Sequence, residues 1–312
     1  MGERANYAVV RDGSWRLYYS HWGALELHLD LLPGPDAATA FAEAQRPVGP
    51  DGWLDDVWGE GGAVIDHDRR VLLYHLLEIE HHGEWRAIRE VLRRTWPGWD
   101  VRWAHDGQGD LVSHVGGDPA SVRDHDPDDA QPPKPCEPPD GWPCCAVTVG
   151  GRAYALENDL SDLLEHGPDL VGMLPEEAAG VAFRFPDAGI HFDVDERHVG
   201  VWTTQTLWGS FQRAAARWPE WRWTLWGDRH EEHLSAAGVT FPEPDMAAAY
   251  AKLRERLIAH RGRDRTAVAG ELLRGLAERG EDPTPSPHLF DHREVRSPDA
   301  HVLAVIDALA GR

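Results

Sequence analysis

The stretch Tyr18-Tyr19-Ser20-His21-Trp22-Gly23 gathers two phenols, an imidazole and an indole within six positions. An imidazole titrates near neutral pH, at about 6.5 when unperturbed. His21 is therefore a candidate general base or proton donor, with the Tyr19 phenol beside it. Trp22, and further along Trp53 and Trp58, offer large apolar faces with one N–H donor each, which is the chemistry of a contact surface. Asp55 and Asp56 lie between the last two tryptophans and add carboxylates. The same region thus supports two uses. In an enzyme, His21 and Tyr19 would be catalytic. In a binding protein, Trp22, Trp53, Trp58, Asp55 and Asp56 would touch the partner.

Other reactive side chains carry weaker patterns. His230-Glu231-Glu232-His233 spaces its histidines three apart, where a zinc-protease helix needs four. The segment reads instead as a solvated helix start. Cys136, Cys144 and Cys145 include no Cys-x-x-Cys pair and are too few for a disulfide framework, so they read as plain thiols. Asp66 and Asp68, like Asp193 and Asp195, sit beside arginines in polar turns and read as turn carboxylates. Gly107-Gln108-Gly109 lacks the third glycine of a dinucleotide fingerprint. No phosphate loop, nucleophile elbow or calcium loop is present. No metal and no cofactor are expected.

Charge narrows the partners. The 312 residues hold 31 basic and 53 acidic side chains, a net charge of −22. Such a surface repels phosphate backbones and anionic lipid, so neither nucleic acid nor a membrane is expected. There is no apolar run of membrane-spanning length and no signal-peptide layout, which predicts a cytoplasmic protein. The first 240 residues hold 20 basic and 41 acidic groups, whereas residues 241–312 hold 11 and 12. Concentrated acidity speeds encounter with a basic protein and rejects other partners. The sequence therefore predicts an acidic interaction protein, an inhibitory or immunity-like binder of a basic protein partner. The alternative is an enzyme or small-molecule binder that uses a cleft between two repeats, with His21 as acid/base.

The scaffold beneath these residues is written twice. Trp96-Pro97-Gly98-Trp99 recurs as Trp218-Pro219-Glu220-Trp221. Val64-Ile65-Asp66-His67-Asp68 matches His191-Phe192-Asp193-Val194-Asp195, and Tyr7-Ala8-Val9-Val10 resembles Cys145-Ala146-Val147-Thr148. Trp85 aligns with Trp208, and all six matched tryptophans are expected in the cores. Within the first copy, Asp12-Gly13 suits a tight hairpin turn between two β-rich runs. A second hairpin is expected around Asp66 to Arg70. Pro35 to Ala44 and Glu84 to Trp96 read as helices, the latter stopped by Pro97-Gly98. Trp99 to Trp103 alternates like a strand.

The expected fold class is α+β. It is a tandem duplication of a ββαββαβ-like unit, with an antiparallel or mixed sheet and helices on one face, followed by a C-terminal helical segment. The first repeat spans 1–116 and the second 144–240. A Pro/Asp-rich linker, with eight prolines and seven acidic residues, spans 117–143. The helical region spans 241–312, with Asp245 as an N-cap and helices from about Met246, Thr266 and Ser297.

Overall fold

The computed structural model describes residues 3–77, 79, 82–124, 130–136, 144–180, 185–260, 265–280 and 300–311. The fold is α+β, with two mixed sheets of six and five strands. In the first unit, β1 (Ala5–Arg11) and β2 (Ser14–Ser20) form the expected hairpin. Its turn residues Asp12 and Gly13 both take positive φ, 53° and 71°, which is the geometry such a hairpin requires. Then come α1 (Leu27–Leu31), α2 (Pro35–Glu43), β3 (Arg46–Val48), β4 (Gly61–Asp66), β5 (Val71–Leu76), α3 (His82–Thr95), β6 (Asp100–Trp103) and α4 (Gln108–His114). The sheet order is β3-β2-β1-β4-β5-β6.

The second unit repeats this order with less material. It comprises β7 (Cys145–Val149), β8 (Arg152–Leu156), α5 (Leu160–Glu165), α6 (Leu170–Met173), β9 (Ala188–Asp193), β10 (His198–Thr203), α7 (Ser210–Arg217), β11 (Arg222–Gly227) and α8 (His230–Ala237). The order β8-β7-β9-β10-β11 mirrors β2-β1-β4-β5-β6. The pairing senses agree too. β1 runs parallel to β4 and β7 to β9, and β5 runs parallel to β6 and β10 to β11. Asp66 and Asp193 occupy one equivalent place. Each ends its strand and accepts a backbone N–H three residues on, from Arg69 at 2.9 Å and Glu196 at 3.0 Å.

Alternation along the strands builds a core on each face. Ala5, Tyr7, Val9, Ile65, Leu72 and Tyr74 point toward α1, α2 and α3. The apolar spacing Trp85, Ile88, Val91 and Leu92 turns one stripe of α3 to this core. Gly98, at φ 76°, follows the helix as a left-handed stop. Ala8, Leu17, Val64 and Leu73 point the other way and pack on Leu111 of α4. A short helix therefore closes the second face of the sheet, an addition to the helices expected on the first. In both units the helix-ending tryptophan meets the next one edge-on. Trp96 and Trp99 stand 5.0 Å apart at 81°, and Trp218 and Trp221 stand 4.9 Å apart at 88°.

Trp208 departs from its expected place. It precedes α7 with φ 43°, is half-buried, and belongs to neither core, whereas Trp85 lies buried within α3. At the offset that aligns Trp85 with Trp208, the start of α3 maps to Gln205, and α7 begins five residues later, at Ser210. His233 also departs from expectation. It is buried rather than solvated, takes the Trp202 indole N–H at 3.0 Å and meets the Thr148 hydroxyl at 2.7 Å.

The Pro/Asp-rich stretch is docked where it is described. Residues 119–122 form a 3-10 turn, and Arg123 reaches back into the first unit. Pro135 bridges to Leu156 at the edge of β8. In the tail, α9 (Met246–His260), α10 (Arg265–Glu278) and α11 (Ala300–Leu309) match the three expected helices. Asp245 caps α9 by accepting Ala248 N–H at 3.0 Å. Ser297 and Pro298 lie outside the described residues. The tail joins the first core through Tyr250, Leu253, Leu257, Val302 and Ile306. Among the described residues, no helix is long and apolar enough to cross a membrane.

Candidate functional site

Two neighbouring residues of the central strand β1 fix the loops that carry the candidate residues. Asn6 is buried, and its side chain faces the loop 49–60. Its Oδ1 accepts Leu54 N–H at 2.7 Å, while its Nδ2 donates to Tyr18 O at 3.2 Å and Gly52 O at 3.4 Å. Tyr7 points to the other face and donates its hydroxyl to Gly23 O at 3.0 Å. Gly23 must be glycine for space, since a Cβ there would stand 2.7 Å from Ser20 Cβ. Asn6→Ala should take the side-chain partner from the buried Tyr18 carbonyl and from the half-buried Leu54 and Gly52 backbone groups. The expected cost is about 1–3 kcal/mol in urea unfolding. A change below 0.5 kcal/mol would show that the loop holds without this clamp.

Between these loops lies a patch at one end of β1, β2 and β4. Ala5 pairs with both Ser20 and Gly61, so the preceding Arg4 and Glu60 meet there. Glu60 accepts Arg4 N–H at 2.7 Å, and their side chains approach to 3.7 Å. The Arg4 guanidinium lies 4.5 Å from the Trp58 ring centre, a cation–π contact. Asp55 accepts the Val57 and Trp58 N–H groups at 3.0 and 2.9 Å, which turns the chain and presents both side chains outward. Trp58 keeps 51% of its surface open, and Val57 54%.

Tyr19 Oη and His21 Nδ1 are 3.0 Å apart. Burial raises the Tyr19 pKa, opposed by Arg4 and Arg46. The phenol therefore stays protonated at neutral pH and donates to Nδ1 when the ring proton sits on Nε2. The His21 ring meets Trp22 edge-on at 4.9 Å, and Arg46 lies 5.6 Å from the Tyr19 ring centre. The Trp22 indole N–H is buried and has no hydrogen-bond partner among the described residues.

The structure thus brings Tyr19, His21 and Trp22 together, and sets Asp55 and Trp58 in the loop beside Arg4. It separates the other two candidates. Trp53 packs 6.0 Å from Trp15 against the second face of the sheet. Asp56 is buried and pairs with Arg123 at 3.0 Å, so it serves the fold rather than the patch. Arg4 and Arg46 were not singled out in the sequence. Arg4 and Glu60 are 56 positions apart and meet only through parallel strand register, which no local pattern reveals.

The junction between the units runs elsewhere. His105 O accepts Leu207 N–H at 2.7 Å, Asp106 accepts Gly209 N–H, and Arg89 pairs with Asp228. The His82 ring stacks on Phe185 at 3.8 Å, with Trp202 and His230 edge-on around it. Burial lowers the His82 pKa to about 2 and the His233 pKa to about 3, so both rings are neutral packing pieces. These contacts cluster around α3 and the end of β6, whereas β2 is separated from β6 by β1, β4 and β5. At about 4.8 Å per strand, that is roughly 19 Å. His21 does not enter the described junction contacts. Among the described residues no group of three or more His, Cys, Asp or Glu side chains is placed to hold a metal ion.

Compared with family models, curated proteins and solved structures, the chain finds no match.

Proposed function

We propose that this chain is an acidic, cytoplasmic interaction protein that binds a basic protein partner, in the manner of an inhibitor or immunity protein, and that its two units arose by duplication. One observation carries the reading. Val57 and Trp58 stand open at the tip of a loop otherwise pinned by Asn6, Asp55 and Arg4. A rigidly presented tryptophan loses little freedom on binding and makes a good anchor. The net charge of −22 supplies long-range attraction for a basic surface. None of the three cysteines is joined in a disulfide, which suits a reducing compartment.

The test begins with retention of a partner from lysate at low salt, followed by kinetics with the purified pair. The on-rate should fall steeply between 50 and 500 mM salt, because exposed charges are screened over about 10 Å at 0.1 M. Trp58→Ala should weaken binding at least tenfold, mainly through faster dissociation. His21→Ala should leave binding nearly intact.

The contact between Tyr19 and His21 favours a second reading, acid–base chemistry at the same patch. It predicts a small molecule that raises the melting temperature of the wild type but not of His21→Ala. That result, with no partner retained at low salt, would replace the binding reading.

A further inference from the structure

The outer edge of β8 is covered by residues that do not belong to the second unit's own hairpins. Cys136 N–H donates to Ala155 O at 2.9 Å, and Glu157 N–H donates to Lys134 O at 2.8 Å. Asn158 clamps the same segment from beyond the strand end. Its Oδ1 accepts Lys134 N–H at 2.8 Å, and its Nδ2 donates to Pro132 O at 3.2 Å. His166 Nε2 lies 2.8 Å from Gln131 O and donates to it. Every one of these contacts goes to the segment's backbone. Pro132, Pro133 and Pro135 have no N–H, and the Lys134 and Cys136 N–H groups are both taken. Asn158 is itself buried.

The first unit handles the equivalent edge in the same way. There β3 lies antiparallel on β2, with Pro47 opposite Tyr18 and Arg46 opposite Tyr19. Both edges thus hold a basic residue followed by proline, Arg46-Pro47 and Lys134-Pro135. In the first unit the segment is built into the fold. In the second it arrives from the stretch between the units. Lys134 is the only lysine in the first 240 residues, and its side chain is exposed. Backbone pairing with outward side chains is how sheets accept an added peptide strand.

We infer that the outer edge of β8 is a strand-docking site for an extended lysine–proline segment of the partner, occupied in this chain by its own residues 131–136. The inference rests on the binding reading above only for the partner's basic character. A tethered segment has an effective concentration on the order of millimolar. The resident therefore excludes weak ligands and yields only to a segment backed by further contacts.

The test is a fluorescent peptide of residues 130–137 followed by anisotropy. The protein variant replaces residues 131–136 by alternating Gly and Ser. The peptide should bind this variant, and bind wild type at least tenfold more weakly. Asn158→Ala in the variant should cost at least tenfold, and a peptide carrying Lys134→Glu should bind several-fold more weakly at low salt. No binding to a folded variant overturns the inference. Should the variant fail to fold, hydrogen exchange on the intact chain decides. The Cys136 and Glu157 amides should exchange by local opening, much faster than Val147 and Ile190. Equal rates would mean the segment leaves only on global unfolding, and the docking site is rejected. The peptide assay contains no partner, so its failure and a failed lysate capture are separate results.

Discussion

Arg123→Met should destabilise the protein by about 3 kcal/mol at pH 7, the low end of the range for breaking a buried ion pair, since the arginine is partly open to solvent. Arg123 reaches from the stretch between the units to two carboxylates of the first unit. It lies 3.0 Å from Asp56, which is almost fully buried, and pairs with Asp106. Asp106 in turn accepts the Gly209 N–H of the second unit. Removing the guanidinium takes the paired cation from two buried carboxylates, Asp56 and Asp106, and leaves Asp106 only the weaker influence of Arg213. Burial already raises the Asp106 pKa, with Arg123 opposing the rise. Without Arg123 it should rise further. A carboxyl raised in the folded state destabilises as pH climbs from its unfolded value through its folded one. The gap between variant and wild type should therefore narrow as pH falls toward 4. Urea unfolding at pH 7 and pH 4.5 measures this. Asp56→Asn and Asp106→Asn added to the variant should recover part of the loss. A gap under 1 kcal/mol, equal at both pH values, would make Arg123 an ordinary surface pair.

Arg123 also shows where sequence reading stops. Composition marked 117–143 as a chain too polar to bury itself. One arginine with two buried acids and one proline strap suffice to dock its described parts, and neither signal is compositional. Local chemistry was legible where the chain must turn or stop. Asp12-Gly13 takes the positive φ of its hairpin, and α3 ends before Pro97-Gly98. The doubled Trp-Pro-x-Trp pattern marked equivalent helix ends that pair their indoles alike. The five-residue α1 and the three-residue β3 were not legible. Neither is long enough to show a period, and tertiary contacts hold both.

The candidate patch was half legible for the same reason. Tyr19, His21 and Trp22 are consecutive enough for a strand end to bring them together. Trp53 and Trp58 are five residues apart in one loop and look alike in sequence. Their fates differ because Asn6 draws Leu54 inward, while the Asp55 turn throws Trp58 outward. Asn6 itself carried a signal, as an amide in an otherwise apolar run, Ala5 to Val10. Such a residue in a buried strand must find partners, and here its partners are the loop.

The second large effect concerns pH and the C-terminal helix α9. His260, near its end, is held between two carboxylates of the α1 region. Nδ1 lies 2.6 Å from Glu26 and Nε2 3.1 Å from Asp30. Burial pulls the His260 pKa down, but hydrogen bonds to Asp30 and Glu26, with their charges, outweigh it and carry the pKa to about 9. Neighbouring His28 is fully buried and held near 3, first by that burial and then by Arg256, so it stays neutral and does not compete for the proton. Arg256 and Lys252 are engaged by Glu84 of α3. His260 is thus the cation of its clasp. A histidine raised in the folded state adds stability that is fully present below its unfolded pKa of about 6.5, and is lost as pH rises through about 9. The rise corresponds to about 3 kcal/mol. Urea unfolding of wild type should show this loss between pH 6.5 and 10. His260→Gln should be less stable by a similar amount at pH 6, and the two should converge near pH 10. Parallel curves across that range would mean that His260 carries no extra proton in the fold and that α9 is held by the packing of Leu253 and Leu257 and by its ion pairs to Glu84.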